Sequence, residues 1–228
     1  MIIATGSRGF VGSNLMNRLS EKHEVSGLDR GGIFNPQEGD IVFHCACDGD
    51  ARGSNANIVN HTKDNIGIFT QILQTSIDRG VKRFVYISSA GVTWEKTVYA
   101  IEKLACEEIL KLLSSIHGFE YVIVRPHNLF GEGMNLGDKS RNVIANFIKK
   151  TVNEEPLEII GDPKTTRQFT YIGQLIDILE GCIDKHTNET LTVGSGVETS
   201  VEDLKYMITN LYKTMKWVDR GLENESDY

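Results

Sequence analysis

Ile2-Ile-Ala-Thr-Gly6-Ser-Arg-Gly9-Phe10-Val11-Gly12-Ser-Asn-Leu15 is the stretch that decides the fold. It opens as a short apolar strand, passes through glycines spaced three apart, and runs into a helical pattern carried by Leu15, Met16 and Leu19. Strand, glycines and helix in that order are the context a dinucleotide fingerprint needs. Gly6 permits the tight turn, Gly9 lets the backbone approach a pyrophosphate, and Gly12 lets the helix pack on the sheet. The amides of the first helical turn, Phe10 and Val11 included, then face the phosphates.

A second strand, Glu24-Val-Ser-Gly-Leu-Asp29, ends in a carboxylate 23 residues after Gly6. The spacing is near the ~20 residues expected for an acid that binds an adenosine ribose. Such an acid accepts from both ribose hydroxyls and repels a 2′-phosphate, so NAD is expected over NADP, with Arg30 placed to soften the preference.

Tyr99 and Lys103 stand one helical turn apart. That spacing puts both side chains on one helix face, about 5–6 Å apart at Cβ. An ammonium held there is expected to favour the phenolate and lower the tyrosine pKa from its usual ~10, giving a general base.

Composition bounds the rest. With 228 residues and 40 % hydrophobic content, the chain can bury one sizeable core. No apolar run reaches the ~20 residues of a membrane span, and the first strand is too short for a signal peptide. A net charge of −7 without a basic stripe argues against nucleic acid as the main partner. Cys45, Cys47, Cys106 and Cys182 lack a matching pair at zinc-site spacing, so no metal is expected. They read as buried, reduced thiols of a cytoplasmic protein.

Further along, Asp40-Ile-Val-Phe-His44-Cys-Ala-Cys47 is a near-continuous apolar run, as in a parallel strand covered on both faces. Residues 61–79 form a helix with Ile66, Phe69, Ile72, Leu73 and Ile77 on one stripe, closed by Gly80. Residues 81–89 are the next strand. The Tyr99 helix runs to Gly118, and Phe119–Pro126 is a further buried strand. Alternating strands and helices with crossover-length connections predict an α/β fold, a Rossmann-type doubly wound parallel sheet. His44 and His127 read as packed or turn residues.

With these segments in order, the sequence resembles the extended short-chain dehydrogenase/reductase family, in its NAD-dependent sugar-nucleotide epimerase/dehydratase branch. The matching segments are Thr5–Gly12, His44-Cys-Ala-Cys47, Asn65-Ile-Gly67, Phe84–Ser89, Tyr99-Ala-Ile-Glu-Lys103, Arg125–Gly131, Arg167–Ile172 and Val193-Gly-Ser-Gly196. The resemblance implies that Ser89 bonds the sugar oxygen, that Tyr99 is the acid/base, and that Lys103 tunes it and holds the nicotinamide ribose. It further implies that Cys45, Ala46, Cys47, Asn65 and Ile87 flank the cofactor, that Pro126 lines the nicotinamide, and that Asn128 and Arg167 meet the substrate. Arg167 would grip the nucleotide diphosphate. A homodimer is implied as well, through the helices at about 61–79 and 99–117.

Three features depart from the family pattern. Ten residues separate Asp29 from Asp40, where the family usually places a helix and another strand. The Ser89–Tyr99 interval is short, which trims a loop that often covers the sugar. The chain stops at Tyr228, so one Rossmann domain is expected with a reduced C-terminal substrate lobe from about 127–170 and 190–228. A helix capped by Thr199 and Glu202 should reach about residue 215, followed by a polar tail.

Ala90-Gly91 follow Ser89 where the branch's dehydratases usually carry an Asp-Glu pair, which disfavours dehydration. Ala90 and Asn142 stand where the GDP-fucose-forming epimerase-reductases use a cysteine and a histidine. The expected activity is therefore a nucleotide-sugar epimerase of the 4-epimerase type. A ketosugar reductase using NAD(P)H and a non-catalytic NAD-sensing or protein-binding module stay open beside it.

Overall fold

A computed structural model describes residues 1–51, 53–137 and 142–225. The chain divides into two units: Met1–Gly133 with Thr170–Gly194, and Met134–Phe169 with Ser195–Tyr228.

The first unit is built on a six-stranded parallel sheet. Its strands are β1 (Ile2–Thr5), β2 (Val25–Leu28), β3 (Ile41–His44), β4 (Arg83–Ile87), β5 (Glu120–Pro126) and a later strand, β9 (Glu189–Val193). Their order is β2-β1-β3-β4-β5-β9, every pairing parallel. The order reverses between β1 and β3, which puts a switch point at the carboxyl ends of those strands, where open α/β sheets bind ligands. β2 is the sheet edge, and no helix or strand separates it from β3. The short Asp29–Asp40 link thus leaves out the strand that the resemblance would have added.

Period-two alternation feeds two cores. Val85, Ile87, Val122 and Val124 face α1 (Phe10–Leu19) and a late helix, α6 (Ile172–Gly181), through Leu15, Leu19, Leu175 and Leu179. Their neighbours Phe84, Tyr86 and Ile123 face the opposite layer, with Phe69, Leu73, Cys106 and Leu110. Burial on both faces is why these strands read as unbroken apolar runs.

That opposite layer starts earlier than the stripe predicts. α2 (Ile58–Thr62) leads through a π-helical turn, Lys63–Gly67, into α3 (Ile68–Asp78). The stripe reads only the part that packs on the sheet; Ile58–Asn60 ahead of it are exposed, and the buried polar contacts begin at His61. α4 (Val98–His117) carries Tyr99 and ends on Gly118 with φ 77°, a left-handed terminus that favours glycine.

The second unit holds α5 (Val143–Val152), the two-residue strand β7 (Thr166–Arg167), β10 (Thr199–Ser200) and α7 (Val201–Glu225). β6 (Asn128–Phe130) precedes α5, and β8 (Phe169–Tyr171) precedes α6. Two expectations are corrected here. The cap of α7 is one residue later than the pattern suggests: Ser200 Oγ accepts from Asp203 N at 3.0 Å and donates to Asp203 Oδ2 at 2.6 Å. Thr199 is instead spent on backbone pairing with Arg167. The helix also continues to Glu225, through most of the segment read as a polar tail, whose residues 226–228 lie outside those described.

Candidate active site

The glycine loop has the tightness that a phosphate cradle needs. Gly6 has φ +66°, and a Cβ there would stand 2.7 Å from Ala46 Cα. A Cβ on Gly12 would stand 2.1 Å from Gly6 O. Only hydrogen fits at either position, so strand end, loop and helix close on one another. Gly9 precedes α1, whose N-terminus has no side-chain cap, leaving first-turn N–H groups for a ligand.

Beside this loop a cleft of about 560 Å³ opens at the switch point. It brings together Gly6, Gly9, Asp29, Arg30, Ala46 and Cys47, six of the residues expected to hold a dinucleotide. Asp29 accepts from Ser7 Oγ at 2.5 Å and from Arg8 N at 3.2 Å, with Arg8 Nε 3.6 Å away. Arg30 pairs with Asp64 on the π-helical turn at 2.7 Å, which occupies its charge. The residues present fit a dinucleotide: apolar walls from Leu28, Phe34 and Ile72, the Asp29 carboxylate just past the end of β2, and a glycine floor that admits no side chain.

Cys45 and Cys47 correct the expectation of buried thiols. Cys47 is exposed and Cys45 is half-buried, because the strand ends at His44 and its continuation turns along the cleft. Burial still pushes the Cys45 thiol up to about 12. His44 is packed, as expected. Its Nδ1 lies 3.0 Å from Thr5 Oγ1, its ring stacks with Phe84 and Tyr86, and burial holds its pKa down to about 3.

Ser89 follows the end of β4 and accepts from Gly91 N at 3.1 Å, opening a 3₁₀ turn over Ala90–Thr93. Lys103 is 3 % exposed, and its Nζ donates to the Ile87 carbonyl at 2.7 Å. That ammonium lies 4.8 Å from the Tyr86 ring centre and 5.7 Å from that of Tyr99. The set Ile87, Ser89, Tyr99 and Lys103 is thus gathered at one strand end. The expected lowering of the Tyr99 pKa is not what the environment produces, since it is pushed well above 10. Desolvation is the largest cause, and electrostatic interaction with Cys47, Glu95, Asp48 and Glu102 adds to it. Spacing along a helix reports the nearby cation but not the burial that outweighs it.

Two buried carboxylates in this region, Glu102 and Glu107, were not picked out by sequence reasoning. Glu102, 2 % exposed, accepts from Thr62 Oγ1 at 2.7 Å and Asn65 Nδ2 at 2.9 Å, and lies 2.6 Å from His61 Nδ1. Asn65 also accepts from Asp48 N at 2.7 Å, so its amide ties the strand-end loop to α4. Glu107 accepts from Ser88 Oγ at 2.5 Å and Arg125 Nε at 2.9 Å, and pairs with Arg125 Nη2. It therefore clamps the residues before Ser89 and Pro126. Its signal was available: Tyr99, Lys103 and Glu107 continue one spacing of four along the helix. π-Helical turns often mark functional positions, and this one carries Asn65.

Asn128 is exposed at the start of β6, directly after Pro126 and His127. Arg167 belongs to the second unit, on β7, with its backbone paired to Thr199. Among the described residues no group of three metal-ligating side chains occurs. No helix among them is long and apolar enough to cross a membrane.

A family model described as "NAD dependent epimerase/dehydratase family" matches residues 2–194. The chain is 25 % identical over 245 residues to the putative UDP-glucose 4-epimerase of Methanocaldococcus jannaschii, covering 90 % of this chain and 80 % of that one. It is 27 % identical over 248 residues to the UDP-glucose 4-epimerase of Vibrio cholerae, covering 89 % and 73 %. The UDP-glucose 4-epimerase of Thermotoga maritima, solved with UDP-glucose, superposes with a TM-score of 0.85 at 23 % identity, covering 93 % of this chain and 82 % of that one. At that identity the structural likeness is one of fold, a parallel sheet flanked by helices. The matched span takes in the glycine loop, the strand ends of the cleft and the Ser89, Tyr99 and Lys103 positions. The chain is a member of the NAD-dependent epimerase/dehydratase family.

Proposed function

We propose that the chain is a nucleotide-sugar epimerase acting by transient hydride transfer at a sugar hydroxyl, C4 being the position favoured. The observation that carries this reading is the gathering of Ser89, Tyr99 and Lys103 at the end of β4, with Lys103 locked on the Ile87 carbonyl. When bound, NAD supplies the hydride acceptor and donor and, oxidised, a positive charge. The residues of the cleft described above would hold it, with Asp29 at the adenosine ribose.

The chain's own part is proton movement and charge stabilisation. Tyr99 carries its proton at neutral pH, since burial holds the pKa high. In that form it is the acid that returns a proton to a keto oxygen. As base it needs more positive charge nearby than Lys103 alone supplies, so proton abstraction is tied to the loaded site. Ser89 Oγ, accepting from Gly91 N, keeps its own hydrogen free to donate to the sugar oxygen as charge develops there. Buried Glu107 holds α4 against the ends of β4 and β5, and buried Glu102 holds it against α2 and the π-helical turn, which together fix the register of this set.

The apolar stripe Ile101, Leu104, Leu112 and Ile116, 39–65 % exposed on α4, supports a homodimer through that helix. The absence of an Asp-Glu pair after Ser89 favours epimerisation over dehydration.

The test is a screen of UDP-, GDP- and dTDP-sugars with product analysis, run with wild type and Tyr99→Phe. Turnover without added NADH, falling about 10²–10⁴-fold in the variant while NAD still binds, is the expected result. Unchanged turnover in Tyr99→Phe would refute the mechanism, and an absolute need for added NADH would replace epimerase by reductase.

A further inference from the structure

The link between Ser89 and Tyr99 is short, yet it folds a carboxylate over Gly91, whose N–H bonds Ser89, and stacks an indole on His127. Gly91 is buried two residues after Ser89, and the space above it is taken by Glu95. A Cβ built on Gly91 would stand 2.7 Å from Glu95 Cδ and 3.0 Å from each carboxylate oxygen. The turn that folds Glu95 back is closed by its own N–H on Gly91 O at 2.8 Å. The absence of a side chain at 91 is therefore what admits the carboxylate of 95. The preceding residue, Trp94, stacks on His127 with centres 5.4 Å apart and planes 19° from parallel. His127 in turn follows the end of β5 and is anchored through its N–H to Val193 O at 2.8 Å. Trp94 is nevertheless 54 % exposed, an unusual position for an indole that is already stacked.

Building on the epimerase reading, we propose that Trp94 and Glu95 form the sugar-recognition element of the site, the indole supporting the apolar face of a pyranose ring and the carboxylate accepting from its hydroxyls. An ionised carboxylate offers only acceptors, and a pyranose edge offers donors. An aromatic body gives apolar area with little ordering cost, which suits a ring whose faces are C–H and whose edges are O–H. Glu95 also acts electrostatically on Tyr99, its charge being among those that raise that phenol's pKa. Its position over Gly91, two residues from Ser89, sets the carboxylate on the Ser89 side of the proposed site. The trimmed loop does not leave the sugar unrecognised; it moves recognition onto two residues of a tight turn.

The experiment separates the sugar from the nucleotide. On the full chain with saturating NAD, calorimetry would measure binding of UDP-glucose against UDP, GDP-mannose against GDP, and dTDP-glucose against dTDP. The variants are Trp94→Ala, Trp94→Phe, Glu95→Ala and Glu95→Gln, each checked by thermal melting. For the pair in which wild type gains affinity from the sugar, Trp94→Ala and Glu95→Ala should erase about tenfold of that gain. The affinities for the bare diphosphate and for NAD should stay where they are. Trp94→Phe should retain most of the gain, and Glu95→Gln should lose several-fold of it; these two carry the test should the alanine variants melt. If wild type converts a sugar nucleotide and all variants keep the full gain, the assignment is overturned while the epimerase reading stands. If wild type binds NAD but no sugar nucleotide more tightly than its diphosphate, the epimerase reading fails and the assignment with it.

Discussion

His44 makes the folded chain sensitive to acid by an amount that can be worked out. It sits at the end of β3, 1 % exposed, at the base of the strand-end segment that lines the cleft. Burial, assisted by the positive charge of Lys103, lowers its pKa from 6.5 to about 3. The folded state keeps this imidazole neutral, while the unfolded chain protonates it below about pH 6.5. Stability from this group is therefore full above that pH and is lost as pH falls toward 3. At 1.36 kcal/mol per unit the whole shift is worth about 5 kcal/mol, of which about 2 kcal/mol disappears between pH 7 and pH 5. Urea unfolding at the two pH values, on wild type and His44→Phe, isolates the term because the other titrating groups are common to both. Wild type should lose about 2 kcal/mol more than the variant over that interval. Equal losses would show that His44 is not held neutral by its surroundings, and the packing account of the strand end would fail with it.

Other expected outcomes follow from the same contacts. Gly12→Ala puts a methyl 2.1 Å from a backbone oxygen that cannot retreat, so NAD affinity should fall by at least about tenfold and stability by roughly 1–3 kcal/mol; unaltered NAD titration would refute the cradle. NAD should bind at least about tenfold more tightly than NADP, because a 2′-phosphate would meet the Asp29 carboxylate, and Asp29→Ala should narrow the gap; equal calorimetric affinities in wild type would refute the ribose assignment. Light scattering at micromolar concentration should give a dimer mass, and Leu112→Glu with Ile116→Glu should give a monomer; a monomeric wild type removes the interface.

Much of the molecule was legible in the chain because its signals are local. Glycines three apart between an apolar strand and a helix, apolar runs at periods of two and 3.6, and Gly118 after the Tyr99 helix each report a backbone requirement met within a few residues. The missing strand was legible for the same reason, since ten residues cannot make a crossover. Boundaries and caps slipped where a neighbour from afar competed, as when Thr199 was drawn into pairing with Arg167 and Ser200 took over the cap.

What the tertiary structure decided is electrostatic. The Tyr99–Lys103 spacing implies a lowered pKa, yet the phenol is raised, because desolvation is set by whatever packs around a group and not by its sequence neighbours. His61 meets Glu102 across 41 residues, and Ser88 meets Glu107 across 19. Glu95 occupies the space over Gly91 only because a tight turn brings it back. A linear pattern records which charges exist and how far apart they lie along one helix; burial and partners across the fold determine what those charges do.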